Sequence, residues 1–256
     1  MCVAALAWNA HRDWQLVAIG NRDEYHERPA APLAIWDAKN NRGGIIAGRD
    51  LQSGGTWLGV TSERFALVTN LRGFGLPDPA KASRGALVTD LLRGSGQYGD
   101  PATASLDAFN PFNLILADSN SATFLSNRPE EIRTALTHGI YGLSNGALDE
   151  PWPKTQQLKA ALTDWLVSED TGIEPLFAAL RNEQIEPIGV ATDEPSDITD
   201  EAALTPVFIR RPVYGTRCST VVTIDRAGQG RIVERSFDEG GQTIVECTNE
   251  FNWQEQ

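Results

Sequence analysis

The residue that offers chemistry first is Cys2. Removal of the initiator Met1 would make it the N-terminal residue, and cysteine is small enough to permit that removal. An N-terminal cysteine carries a nucleophile and a base together: an α-amino group titrating near ~7.7–8.0 can take the thiol proton at neutral pH. If Met1 is retained, that amine is an amide and the chemistry fails. Arg22 and Asp23 lie in Asn21-Arg22-Asp23-Glu24, at the end of the second strand of an opening hairpin that can return them to Cys2. A carboxylate such as Asp23 would hold the amine, and a guanidinium such as Arg22 would favour thiolate. Asn70, Asn145 and Arg217 also stand at strand ends. Asparagine amides can donate to a developing oxyanion, and arginine can bind a substrate carboxylate. Taken singly, each of these residues is an ordinary turn or ion-pairing residue; together with Cys2 they form a set suited to cleaving an amide bond.

Other patterns carry less. Gly94-Ser-Gly-Gln-Tyr-Gly99 matches GxGxxG but follows a helix and runs into Asp100-Pro101, so it lacks the strand-before, helix-after setting of a dinucleotide loop. His11, His26 and His138 have no metal-ligand spacing, and Cys2, Cys218 and Cys247 have no CxxC pairing. No metal site is expected.

The elements that must position these residues follow from periodicity. Cys2–Trp8 and Gln15–Gly20 read as a hairpin, followed by strand candidates 44–47, 56–61, 65–70, 113–117, 122–125, 140–143, 217–224, 231–237 and 243–248. Three amphipathic helices are predicted. The first is capped by Ser83, carries Leu87, Val88, Leu91 and Leu92, and stops at Gly94. The second follows Pro153 with Leu158, Leu162, Trp165 and Leu166; the third carries Ile173, Leu176, Phe177 and Leu180. Residues 183–206, acidic and with three prolines, read as a solvated loop. The pattern predicts one α+β domain over residues 1–256 with two packed sheets.

Composition bounds the function. With 22 basic against 34 acidic residues the net charge is −12, which disfavours nucleic acid and anionic lipid surfaces as partners. Three widely spaced cysteines suit a reducing compartment. The apolar start, Met1 to Trp8, is too short to span a bilayer and lacks a preceding basic segment, so a cytoplasmic protein without a membrane span is expected.

Asn21-Arg22-Asp23-Glu24 is the signature of the NRDE family, also called the transport and Golgi organisation protein 2 family, and the resemblance covers nearly the whole chain. It includes Met1-Cys2, Arg28-Pro29, Ser53-Gly-Gly-Thr-Trp-Leu-Gly59, Thr69-Asn70-Leu-Arg72, Ser83-Arg-Gly85, Asn113-Leu-Ile-Leu116, Gly142-Leu-Ser-Asn145, Pro151-Trp-Pro-Lys154 and Tyr214-Gly-Thr-Arg217. The family in turn resembles N-terminal-nucleophile (Ntn) hydrolases of the choloylglycine hydrolase and penicillin V acylase branch. That implies a four-layer αββα sandwich of two antiparallel sheets. It also implies Cys2 as nucleophile, Asp23 at its amine, Asn70 and Asn145 at the oxyanion, and Arg22 and Arg217 nearby. One departure stands out: the branch separates its arginine and aspartate by two residues, whereas Arg22 and Asp23 are adjacent. Adjacent strand residues face opposite ways, so one of the two points away from Cys2, and the departure bears more on Arg22.

Two functions fit these residues and this resemblance. The first is an N-terminal-cysteine amidohydrolase or acyltransferase acting on a small amide or acyl substrate, requiring no cofactor. The second follows from the link between this family and haem trafficking or lipid and acyl-CoA homeostasis: a non-catalytic carrier for haem or an acyl lipid using the same cleft, lined by tryptophans among Trp36, Trp57, Trp152 and Trp165.

Overall fold

The computed structural model describes residues 2–36, 44–168, 171–185 and 206–253. Thirteen strands among them form two antiparallel sheets. The first sheet takes strands from both ends of the chain, in the order β10 (Gly139–Leu143), β1 (Cys2–Trp8), β2 (Trp14–Tyr25), β11 (Tyr214–Asp225), β12 (Gln229–Phe237) and β13 (Thr243–Asn252). The second is a meander in chain order: β3 (Ala30–Trp36), β4 (Ile45–Asp50), β5 (Leu58–Val60), β6 (Phe65–Asn70), β7 (Phe112–Ala117), β8 (Ala122–Ser126) and β9 (Ile132–Ala135). The helices are α1 (Arg84–Arg93), α2 (Pro153–Val167) and α3 (Glu174–Leu180). The described residues are therefore mixed α and β with two antiparallel sheets and three α-helices, an arrangement that agrees with a sandwich.

The two-residue period of the strands sorts the core. In β1 and β2, Ala4, Leu6, Trp8, Leu16 and Ala18 belong to the larger apolar cluster, with residues of the second sheet. Val3, Ala5, Ala7, Val17 and Ile19 belong to a separate cluster with Leu158, Leu162 and Trp165 of α2 and Leu176, Phe177 and Leu180 of α3. One face of the first sheet thus packs on the second sheet and the other on helices, which is why β1 is buried along its full length.

The helices form where the apolar stripes predict them. Helix α1 begins after Ser83, which holds the N-cap position but makes no side-chain capping hydrogen bond, and ends at Gly94, whose φ of 62° is the left-handed conformation that favours glycine at a helix stop. The GxGxxG segment therefore starts as a helix terminator, as its context in the sequence indicates. Pro153 occupies the first turn of α2, where its missing N–H costs nothing.

Two strands lie outside the sequence-based set. β3 and β9 are the edge strands of the second sheet. β3 carries Pro32 and a register shift between Ala31 and Ala34, and proline is tolerated at an edge. β2 also continues five residues past the predicted Gly20, so Asn21–Glu24 is itself strand and closes β2 just before its last residue, Tyr25. The acidic loop predicted over 183–206 falls mostly outside the described residues. Among the described residues no helix is long and apolar enough to cross a membrane.

Candidate functional site

The register of the first sheet brings Cys2 and Arg22 side by side. Cys2 of β1 pairs with Arg22 of β2, and Arg22 pairs in turn with Cys218 of β11. All three share the face that looks at the second sheet, because Arg22 has the parity of Leu16 and Ala18. Arg22, rather than Asp23, shares the face of Cys2, so the expectation that adjacency weakens Arg22 is corrected. The physical cause is the cross-strand pairing itself: Arg22 stands opposite Cys2, and every second residue of β2 keeps that side.

Asp23 takes the helix side, where Thr216 Oγ1 donates to its Oδ1 at 2.7 Å. Cys2 begins its strand, so Asp23 still reaches the cavity wall around the sheet end. Asp23 and the fully buried Lys154 at the start of α2 interact strongly. Burial pushes the Asp23 carboxyl up and Lys154 pulls it back; burial likewise pushes the Lys154 ammonium down while Asp23 opposes it.

A cavity of about 620 Å³ opens between the two sheets at this end. Cys2, Arg22, Asp23, Asn70 and Arg217 are on its walls. Asn145 is not among the wall residues: it is buried behind them, where its Nδ2 donates to the carbonyl of Asn70 at 2.8 Å and its own carbonyl accepts from the Arg72 amide at 2.9 Å. Asn145 therefore braces the strand end that presents Asn70. Its neighbour Ser144 donates from Oγ to the carbonyl of Cys2 at 3.1 Å. Arg217 sits at a β-bulge, the extra residue between the pairs Asp23–Thr216 and Arg22–Cys218. A bulge re-aims a side chain, and Nη1 of Arg217 donates to the carbonyls of Tyr25 and His26, at 3.2 and 2.8 Å.

The structure adds residues that motif reasoning did not single out. Asp50, at the end of β4 in the opposite sheet, accepts from Arg22 Nη2 at 3.0 Å and Arg28 Nε at 2.6 Å through Oδ2, and from the Gln52 and Ser53 amides through Oδ1. Burial acts upward on Asp50, but the bonds from Arg28 and the Ser53 amide and the charges of Arg28 and Arg22 hold its carboxyl below the usual range. Glu234 of β12 is buried on the cavity wall and accepts from the Leu33 amide at 2.8 Å. Burial pushes its carboxyl up, while that amide and the Cys218 thiol oppose the rise. The Cys218 thiol is pushed far up, by burial first and the Glu234 charge second. Burial also pushes the Cys2 thiol up, and Arg22 acts against it. For Lys154 a signal existed, since it closes Pro151-Trp-Pro-Lys154; Asp50 and Glu234 carried none.

Of the four tryptophans, Trp57 alone is on the cavity wall. Trp36 is buried with its Nε1 donating to the Ala47 carbonyl at 2.9 Å, Trp165 packs in the helix-side cluster, and the Trp152 ring lies 5.5 Å from Lys154 Nζ. Among the described residues no group of three or more His, Cys, Asp or Glu is placed to hold a metal ion.

A family model described as Transport and Golgi organisation 2 matches residues 1–239. The chain is 33% identical to the human Transport and Golgi organization protein 2 homolog over 90% of its length and 88% of the relative's, and 32% identical to the bovine homolog over 96% and 94%. The mouse Transport and Golgi organization 2 homolog is 30% identical, over 90% and 88%. By these matches the chain belongs to the Transport and Golgi organisation 2 family.

Proposed function

We propose that the cavity is the site of an N-terminal-cysteine amidohydrolase or acyltransferase built on an Ntn-like αββα sandwich. The observation that carries this reading is the convergence at one sheet end of Cys2, Arg22 and Asp23 with Asn70 from the facing sheet. The layering supports it: α2 contacts β1 and β10, α3 contacts β2 and β11, and α1 contacts β4, β5 and β6.

After loss of Met1, the α-amine of Cys2 accepts the thiol proton and the thiolate attacks an amide or thioester carbonyl. Asp23 holds the resulting ammonium at the sheet end, and Arg22 opposes the burial that disfavours thiolate. Asn70 faces the developing oxyanion, with Asn145 fixing its backbone. Collapse expels the amine or thiol, which takes its proton from the ammonium, and water or a second acceptor releases the acyl group. Arg217 stands by to meet an anionic part of the substrate.

The carrier reading draws on the apolar wall residues Trp57, Val68 and Phe237. Haem fits these walls poorly. None of the three histidines lines the cavity, nor does any tyrosine, and the two thiols there, Cys2 and Cys218, have thiolates that burial disfavours. The carrier reading therefore narrows to an acyl ligand held without covalent change.

The test is acylation. Protein whose intact mass shows loss of Met1 is treated with p-nitrophenyl acetate. The hydrolase reading expects a single acetyl group on Cys2 that is turned over. Reversible one-to-one binding of a fatty acid with no adduct at Cys2 would select the carrier instead.

A further inference from the structure

Asn145 lies behind the cavity wall with its amide engaged by Asn70, so the oxyanion is left short of a second donor. The wall holds one. Arg22 is 8% exposed and stands in register beside Cys2. Its Nη2 donates to Asp50 and lies 3.7 Å from Glu24 Oε2, while its Nη1 is buried without a hydrogen-bond partner among the described residues. A buried guanidinium N–H left unpaired is costly, and native structures leave few such groups without a purpose.

We propose that Arg22 is a catalytic residue whose Nη1 donates to the oxyanion formed at Cys2, and that Asp50 is the positioning residue that holds the guanidinium through Nη2 and leaves Nη1 unengaged. The inference rests on the hydrolase reading above. Its support is geometric. Asp50 belongs to the opposite sheet, so the Arg22–Asp50 bond spans the cavity end and fixes a long side chain that would otherwise be mobile. Asp50 is itself held by the Gln52 and Ser53 amides through Oδ1 and by Arg28 through Oδ2. A guanidinium can serve two acceptors with separate N–H edges, whereas an ammonium is a compact point charge. In the step itself, the Sγ–C bond forms as the carbonyl π pair moves to oxygen. That oxygen accepts from Nη1–H of Arg22, and the pair returns to carbon as the bond to the leaving group breaks.

Two reagents separate this role from simple stabilisation of thiolate. p-Nitrophenyl acetate and iodoacetamide both react with the Cys2 thiolate, but only the ester passes through a tetrahedral oxyanion. In Met1-free protein, Arg22→Lys keeps a positive charge near Cys2 and should leave iodoacetamide alkylation near the wild-type rate. It should slow acetylation of Cys2 by roughly 10²-fold, the scale of one lost oxyanion donor. Asp50→Asn should move the ratio of the two rates in the same direction by less, and Asp50→Glu should recover part of it. An unchanged ratio in folded Arg22→Lys, whether both rates fall or neither does, overturns the assignment and leaves Cys2 as nucleophile. No acetylation of wild-type Cys2 under any condition defeats the hydrolase reading itself, a result told apart from the first by the wild-type control alone.

Discussion

The two faces of β2 differ in what their polar residues are for. On the helix side, Asn21 donates from Nδ2 to the carbonyls of Leu180 and Val207, both at 2.8 Å, and its Oδ1 accepts from Ser219 Oγ at 2.6 Å. Every polar atom of that side chain is engaged by structure. On the sheet side, Arg22 keeps a nitrogen without a hydrogen-bond partner among the described residues, on a strand that pairs it with Cys2 at the cavity. Asp23 belongs by parity to the first face but reaches the cavity because the sheet ends there. One four-residue motif thus has two placements: Asn21 ties α3 and the 207 segment to the sheet, and Arg22 and Asp23 line the cavity. Stability and reactivity should therefore separate when the two faces are altered.

The largest effect belongs to the cavity face. Cys2→Ala should abolish acylation by p-nitrophenyl acetate, and Cys2→Ser should leave a weak, slow reaction; intact mass reads both. A Cys2→Ala protein that is still acetylated at a turned-over site would break the comparison at once. The largest effect on the helix side is in stability. Lys154→Met strips Asp23 of a buried cationic neighbour, and removing one member of a buried charge pair costs about 3–5 kcal/mol. At roughly 2–4 °C per kcal/mol for a chain of this size, thermal melting should show a drop of roughly 6–20 °C. Asn21→Ala comes next. Each buried group it abandons costs roughly 1–3 kcal/mol, so Tm falls while iodoacetamide alkylation of Cys2 keeps its rate. A fall in that rate without a fall in Tm would contradict the division of labour.

The smallest effect is in pH dependence. Asp50 is held below the usual carboxylate range in the folded protein. The stability it contributes is complete above the unfolded value of about 3.9 and is lost as pH falls through the lower folded value. Denaturant midpoints of wild type and Asp50→Asn should therefore converge as the pH drops below about 4. A gap that stays constant would show that the Arg22–Asp50 bond adds no pH-dependent stability.

Periodicity made most of this architecture legible. The opening hairpin, the seven-strand meander apart from its edges, and all three helices follow from spacing, because one buried face imposes a period on each element. The edge strands β3 and β9 escaped because an edge has less to bury: β9 has no fully buried residue, and β3 tolerates a proline. The extension of β2 escaped because Asn-Arg-Asp-Glu reads as a solvated end. It is strand because Thr216, Ser219 and Asp50 satisfy its polar groups from 28 to 198 residues away. Such partners leave no local trace. Cys2, Arg22, Asp23, Asn70 and Arg217 could be named from sequence, while the support given by Asp50, Lys154 and Asn145 depends on register and on the packing of one sheet over the other.

The central claim is that Cys2 is an activated nucleophile, and competitive alkylation tests it most directly. Met1-free protein is labelled with limiting iodoacetamide between pH 6 and 8, conditions below the free-thiol pKa of about 8.5, and the three cysteine peptides are quantified. The account predicts that Cys2 is labelled ahead of Cys247 and far ahead of Cys218, whose thiolate is opposed by burial and by Glu234. If Cys2 reacts no faster than Cys218 or Cys247 across that range, it is not activated, and the hydrolase account is contradicted.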